Sequence, residues 1–208
     1  LILVMAVVSW TQRKRLPFSP WWPTLTLAWV VVQGLFGKYT VTLKLYPLIV
    51  TLHLLGGLLL LALLAAQHAT FSGRRLVLGS ALRRGAWVVL ALLGVQIALG
   101  GWVSTNYAVL ACRDFPSCQG HWWPEMDFAH AFTLRRELGQ TAAGAYLPFA
   151  ALTAIHVTHR VAAFFVLAAM ALLAWRLHTV ADPALRRYAL GLALLGLWQL
   201  LTGLSNVV

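Results

Sequence analysis

Apolar residues along this chain neither alternate nor recur in narrow stripes; they fill continuous runs. A membrane-spanning helix takes about 20 mostly apolar residues, and such runs lie at 22–40, 46–70, 82–107, 146–175 and 185–208. A shorter run at 1–10 reads as the tail of one more helix. The pattern predicts an all-α polytopic membrane protein with one partial and five full transmembrane helices. The breaks between runs are Thr11–Trp21, a tight turn at Thr42–Leu45, Phe71–Ala81, a long loop at 108–145, and Arg176–Leu185. The chain opens on Leu1 in mid-run, without a Met or a basic lead-in, and closes on the apolar Val207-Val208, so a fragment cut at both ends is expected.

Composition supports the membrane reading and removes its competitors. Of the 208 residues, 61% are hydrophobic and 10% charged, whereas a soluble domain carries about a quarter charged residues. A net charge of +11 would point to nucleic acid in a soluble chain. Here the basic residues fall in short clusters between apolar runs, which is a topology pattern, so lipid is the expected partner and nucleic acid is not.

The first, third and fifth loops with their flanks hold Arg13, Lys14, Arg15, Arg74, Arg75, Arg83, Arg84, Arg176, Arg186 and Arg187, ten in all. The second and fourth hold Lys38, Lys44, Arg113, Arg135 and Arg136, five in all. That bias puts the odd loops in the cytoplasm. In a bacterium the chain would then sit in the inner membrane with loop 108–145 in the periplasm. This loop contains both cysteines, Cys112 and Cys118, and four of the five acids. An oxidising compartment permits a Cys112–Cys118 disulfide; two free thiols, or a metal pair lacking nearby ligands, are the alternatives. His121 and His130, among loop aromatics, read as part of an interfacial belt.

A short repeat ends three of the runs: Gln33-Gly-Leu-Phe-Gly37, Gln96-Ile-Ala-Leu-Gly100 and Gln199-Leu-Leu-Thr-Gly203. Gln and Gly four apart share a helical face, where small residues allow close helix approach and an amide can bond across. Packing is the simplest reading, and the repeat implies like helix pairs.

The runs that enter from outside carry histidines. His53 lies about 10 Å below the outer boundary at ~1.5 Å per residue, and the cluster His156-Val-Thr-His159-Arg160 is somewhat deeper. Ionisable groups at such depth are costly and usually functional. Imidazole facing a helical bundle is a common axial ligand for haem iron. A proton relay or a satisfied polar contact would also explain His53 alone. His156 and His159 share a face, and spacing leaves open which would ligate. Arg160 needs an anionic partner or helix carbonyls. No acid lies in any full span, so a ligand carboxylate such as a haem propionate is the natural candidate.

These residues resemble the haem A synthase family over nearly the whole chain. The resemblance rests on Gly100-Gly101-Trp102-Val103-Ser104-Thr105-Asn106, the Cys112 to Cys118 loop, His121-Trp122-Trp123-Pro124, and Thr158-His159-Arg160 with Ala162. It implies two pseudo-repeated four-helix bundles, the first holding substrate haem O and the second cofactor haem b, each between histidines. In this chain 1–70 would be part of the substrate bundle, 71–81 a cytoplasmic connector and 82–208 part of the cofactor bundle. By position His53 and His159 match axial iron ligands, with Arg160 beside the second and His156 where the family's other half has a catalytic Glu. That Glu would lie before Leu1, and further ligands outside 1–208, so this piece alone is expected to be inactive. The implied reaction oxidises the C8 methyl of haem O to the formyl of haem A for terminal cytochrome oxidases. Haem O synthase becomes a candidate transient partner and a homo-oligomer a candidate state. A non-enzymatic dihaem carrier of cytochrome b type would use the same histidines without needing the cysteine ring. A transporter would want helix breaks at mid-membrane, and Pro47 and Pro148 lie near helix ends instead.

Overall fold

The computed structural model describes residues 1–71 and 76–206. Part of the expected connector 71–81, including Arg74 and Arg75, therefore lies outside the described residues, as do Val207 and Val208 at the end of the last expected span. The described chain contains helices and no strand, and it divides into two compact units, Leu1–Val77 and Leu78–Val208.

The first unit is a row of three helices, α1 (Ile2–Thr11), α2 (Trp21–Thr42) and α3 (Pro47–Phe71), with α2 packed on both others. Helix α2 ends in the tight turn expected at Thr42–Leu45. Lys44 and Leu45 there take left-handed φ values of 52° and 60°, which non-glycine residues adopt at a cost, and Pro47 at the first helical position starts α3. Polar bonds lace the row. The Gln67 amide donates to Thr26 Oγ1 at 2.6 Å, Trp29 Nε1 to the Gly56 carbonyl at 2.9 Å, and Trp10 Nε1 to Thr24 Oγ1 at 3.0 Å. Between apolar helices in lipid, such bonds and close packing replace the hydrophobic drive.

The second unit contains α4 (Ser80–Thr105), a 3₁₀ turn (Ala108–Ala111), the single-turn α5 (Phe128–Ala131), α6 (Phe149–His178) and α7 (Pro183–Ser205). Helix α6 is central, packing on α4, α5 and α7. Its core with the flanking helices is built from Val89, Val166, Met170, Leu173, Leu177, Leu185 and Ala189. Local chemistry sets the helix ends. Asp182 caps α7 by accepting from the Ala184 N–H at 2.7 Å, with Pro183 next to it. Helix α6 starts three residues later than the apolar run suggests, because Pro148 with ψ near 143° holds the entering chain extended. Helix α4 stops at Thr105, just before Tyr107 turns left-handed at φ 54°.

Helices α3, α4, α6 and α7 are long and apolar enough to cross a membrane, and large apolar side chains such as Phe164, Leu195 and Trp198 stand exposed along them. The chain is a membrane protein. The expected fifth full span, α2, has the length, at 22 residues, but falls below the others in mean hydropathy, so four described helices meet the criterion. The reason is visible in its sequence: Thr24, Thr26, Gln33, Lys38, Thr40 and Thr42 dilute the apolar run.

Candidate functional site

Each unit sets one histidine against a glycine of the neighbouring helix. In the first unit His53, two turns into α3, lies over Gly37 of α2; a Cβ built on Gly37 would stand 3.4 Å from His53 Cε1. The imidazole is half-buried, and its Nδ1 is sealed from solvent with no hydrogen-bond partner. Gln33, one turn earlier on α2, lays its amide against the Cα of Gly56, where any Cβ would overlap it. Its Oε1 is also buried without a partner.

The second unit repeats the arrangement with a difference. His159 of α6 lies over Gly100 of α4, where a Cβ would come within 3.2 Å of His159 Cε1. Here the glutamine faces the imidazole. Gln96 Nε2 stands 3.1 Å from His159 Nδ1, 3.3 Å from its Nε2 and 3.3 Å from its backbone carbonyl. The repeat read from sequence as helix packing thus forms the seat of a histidine in both units. The third copy, Gln199 to Gly203, has no neighbour within 4 Å of the Gly203 Cβ position among the described residues.

His156 and His159 share α6 but not an environment. His156 is 4% exposed. Its Nε2 accepts from Arg160 Nε at 3.3 Å, and its Nδ1, near the Ala108 carbonyl, makes no hydrogen bond of good geometry. His159, half-buried in its glycine seat, is the more open of the two.

Arg160 joins this pair to the outer loop. Cys112 and Cys118 form a disulfide, closing a small ring whose carbonyls point at the guanidinium. Nη1 donates to the carbonyls of Asp114 and Ser117, both at 2.9 Å, and Nη2 to that of Cys112 at 3.1 Å. The guanidinium also lies 5.9 Å from the Phe115 ring centre. With the His156 bond, four guanidinium N–H groups are occupied, leaving one on Nη2. The cation expected to seek a ligand carboxylate or helix carbonyls is thus bound mainly by loop carbonyls, which spacing alone could not reveal because they lie 43 to 48 residues earlier in sequence.

The ring is itself braced from inside. The Asp114 carboxylate accepts from Ser117 Oγ at 2.5 Å, Gln119 N–H at 2.7 Å and Gly120 N–H at 2.9 Å. These bonds, led by the Ser117 hydroxyl, hold its carboxyl down to about 2. Gln119 then ties the ring to α6, donating to Thr153 Oγ1 at 2.9 Å. Further along the loop, Arg136 donates to Asn106 Oδ1 at 2.6 Å and stacks near Trp102, whose Nε1 donates to the Ala131 carbonyl at 2.9 Å. His130 pairs with Asp127 at 2.6 Å, which lowers the Asp127 carboxyl. Asp114, Gln119 and Arg136 were not singled out by sequence reasoning; only the Cys-x5-Cys spacing around Asp114 could have suggested an internal brace.

Comparison with known proteins follows the same lines. The family model described as cytochrome oxidase assembly protein, COX15-CtaA, matches residues 1–208. The chain is 37% identical over 214 residues to the heme A synthase of Shewanella oneidensis, covering all of this chain and 63% of the relative. It is 28% identical to that of Shouchella clausii and 25% identical to that of Halalkalibacterium halodurans, over 61% and 60% of this chain and 44% of each relative. The chain therefore spans less than two thirds of the length of these curated relatives. No solved structure matches it. A helical membrane chain with paired histidine seats, matched from end to end by one family model, belongs to the COX15-CtaA family of cytochrome oxidase assembly proteins.

Proposed function

We propose that the protein works as a haem A synthase, oxidising the C8 methyl of haem O to the formyl of haem A for terminal cytochrome oxidases. The observation that carries this reading is the pair of seats, His53 over Gly37 and His159 over Gly100, made by like helix pairs in the two units. A two-site enzyme needs one imidazole for substrate haem and another for a resident haem b. The chain supplies each where the opposing helix has no side chain.

The residues fit such groups. His53 Nδ1 is a buried polar atom without a hydrogen-bond partner, and a Cβ at Gly100 would stand 3.2 Å from His159 Cε1, crowding that imidazole. His53 would hold substrate haem O in the first half, 1–70, and His159 haem b in the second, 82–208. Haem b held there would supply a redox-active iron centre able to accept electrons. The remaining chemistry belongs to the chain's own groups. Gln96 fixes the His159 ring in its seat, His156 accepts a hydrogen bond from Arg160, and Arg160 holds the disulfide ring over the outer end of α6 with one N–H left for an anion such as a propionate.

In this reading the chain lies in the bacterial inner membrane with loop 108–145 in the periplasm. Support comes from the ten-to-five distribution of basic residues between alternate loops and from a disulfide that suits an oxidising compartment. Haem O synthase as transient donor and a homo-oligomer as working state complete the proposal.

Pigment extraction from membranes containing the full-length protein tests it. Haem O and haem A recovered together with haem b support the synthase; haem b alone overturns it in favour of a dihaem electron carrier. His159→Ala should remove one haem from the reduced-minus-oxidised spectrum and His53→Ala the other, and an unchanged spectrum in either variant rejects that ligand.

A further inference from the structure

A groove of about 740 Å³ runs along the seam of α6 and α7. Its size falls within the range of ~300–1,000 Å³ typical of ligand pockets. The floor is concave because the residues along the seam are small: Ala171 and Ala174 on α6, Ala193 and Gly196 on α7. Leu190, Leu197 and Leu200 rise along one wall, all of them exposed.

The groove is polarised from end to end. His178, Arg186 and Arg187 line one end, beside the exposed Trp175, and no acid lines it among the described residues. The nearest acid in sequence, Asp182, has its carboxylate committed to the α7 cap. Arg186 is steadied through Nε, which donates to the Val180 carbonyl at 3.3 Å, so its terminal nitrogens are held near the groove mouth. From Arg186 to Leu200 the wall is about 21 Å long at ~1.5 Å per residue, somewhat more than one leaflet of a hydrocarbon core about 30 Å thick. A cationic head and an apolar trough of leaflet depth complement one class of molecule.

We propose that this groove is a binding site for an anionic glycerophospholipid, its phosphate on Arg186, Arg187 and His178 and an acyl chain along the alanine and glycine floor. Trp175 marks the headgroup level, where indole rings settle. The site shares no residue with the histidine seats, so it stands whether or not these hold haem.

Native mass spectrometry of the full-length protein in mild detergent tests the site, with dioleoyl phosphatidylglycerol and dioleoyl phosphatidylcholine as the two probes at equal concentration. Phosphatidylglycerol should be retained preferentially. A basic residue near anionic lipid contributes about a fivefold gain in binding, so the double variant Arg186→Gln with Arg187→Gln should lower phosphatidylglycerol retention by roughly 30-fold. Ala193→Trp, which fills the floor and leaves the charges in place, should also lower it. Equal retention of both lipids by the parent overturns the proposal. So does an Ala193→Trp variant that binds like the parent, because the arginines would then act only as a diffuse field. Leu190→Cys, oxidised in lipid, should remain monomeric on non-reducing gels; an efficient cross-linked dimer would show that a second copy covers the groove, and would overturn the proposal too.

Discussion

Arg160 bonds Asp114 at the backbone and not at the carboxylate: Arg160 Nη1 donates to the Asp114 carbonyl at 2.9 Å, while the Asp114 carboxylate turns inward onto Ser117, Gln119 and Gly120. This cation, well inside α6, is thereby satisfied without a direct ion pair. Three carbonyls of one small ring share the load, and the disulfide keeps them facing the same way. The carboxylate contributes at one remove, by shaping the ring that presents the carbonyls.

Arg160→Leu should therefore release the ring before it affects any other part of the fold. Hydrogen bonds to a charged group contribute about 1.5–3 kcal/mol each when neither partner is left buried and bare, so the loss should be a few kcal/mol, localised to the loop. Limited proteolysis within 108–145 should become faster while the helices stay resistant. Arg160→Lys should fail to restore protection, because a single ammonium lacks the planar fork that reaches three carbonyls. Full protection in the lysine variant would show that charge alone suffices.

Opening the ring chemically should have a related but smaller effect. Cys112 and Cys118 close a short loop, for which chain-entropy estimates give about 2 kcal/mol. The double variant Cys112→Ser with Cys118→Ser should lower the thermal midpoint and leave the His159 seat, built on Gln96 and Gly100, intact. Added reductant should do the same to the parent and nothing to the variant. A melt that reductant does not move would mean that the ring is held by its hydrogen bonds alone.

The same ring should be sensitive to acid. The Asp114 carboxyl is held at about 2, below its ordinary value of 3.8, so its folded value is depressed. Such a group stabilises the ring fully above the ordinary value, and the contribution is lost as pH falls from about 3.8 toward 2. Amide exchange at Gln119 and Gly120, the N–H groups bonded to it, should accelerate across that window relative to neighbouring amides. In Asp114→Asn the acceleration should vanish, because no proton is taken up at this position. A parent whose exchange profile matches the asparagine variant would exclude the carboxylate as the brace.

Much of this arrangement was legible in the sequence, for identifiable reasons. Apolar runs fixed the helices because a bilayer demands about 20 residues of one kind, and the boundary errors trace to single residues: Pro148 delays α6, and the Asp182 cap advances α7. His53 and His159 stand out in the sequence because an ionisable group inside an apolar run is costly. The role of Gln-x3-Gly was seen only as packing, since the partner histidine lies 16 residues beyond Gly37 but 59 beyond Gly100. The ring's hold on Arg160 was invisible because backbone carbonyls have no residue signature. Gln33 and Gln96 occupy equivalent places and point differently, one at Gly56 and one at His159; no periodicity separates them.

That difference leads to an asymmetric prediction for the two seats. A Cβ on Gly100 would stand 3.2 Å from His159 Cε1, against 3.4 Å for Gly37 and His53. The first is tighter than packed carbon atoms ordinarily tolerate and the second is ordinary contact. His159 also has Gln96 against its ring, which limits how far it can swing, whereas Gln33 lies against Gly56 instead. Gly100→Ala should accordingly perturb its seat more than Gly37→Ala, and Gly100→Val more than either, with over-packing costs of about 1–3 kcal/mol. If the imidazoles hold haem, the absorption spectrum of the reduced protein should lose intensity or shift for one centre in the Gly100 variants and remain near the parent in Gly37→Ala. Combining Gly100→Ala with Gln96→Ala should relieve part of the effect by freeing the ring to rotate. Equal sensitivity at both glycines, or no relief in the double variant, would remove the glutamine as the element that distinguishes the two seats.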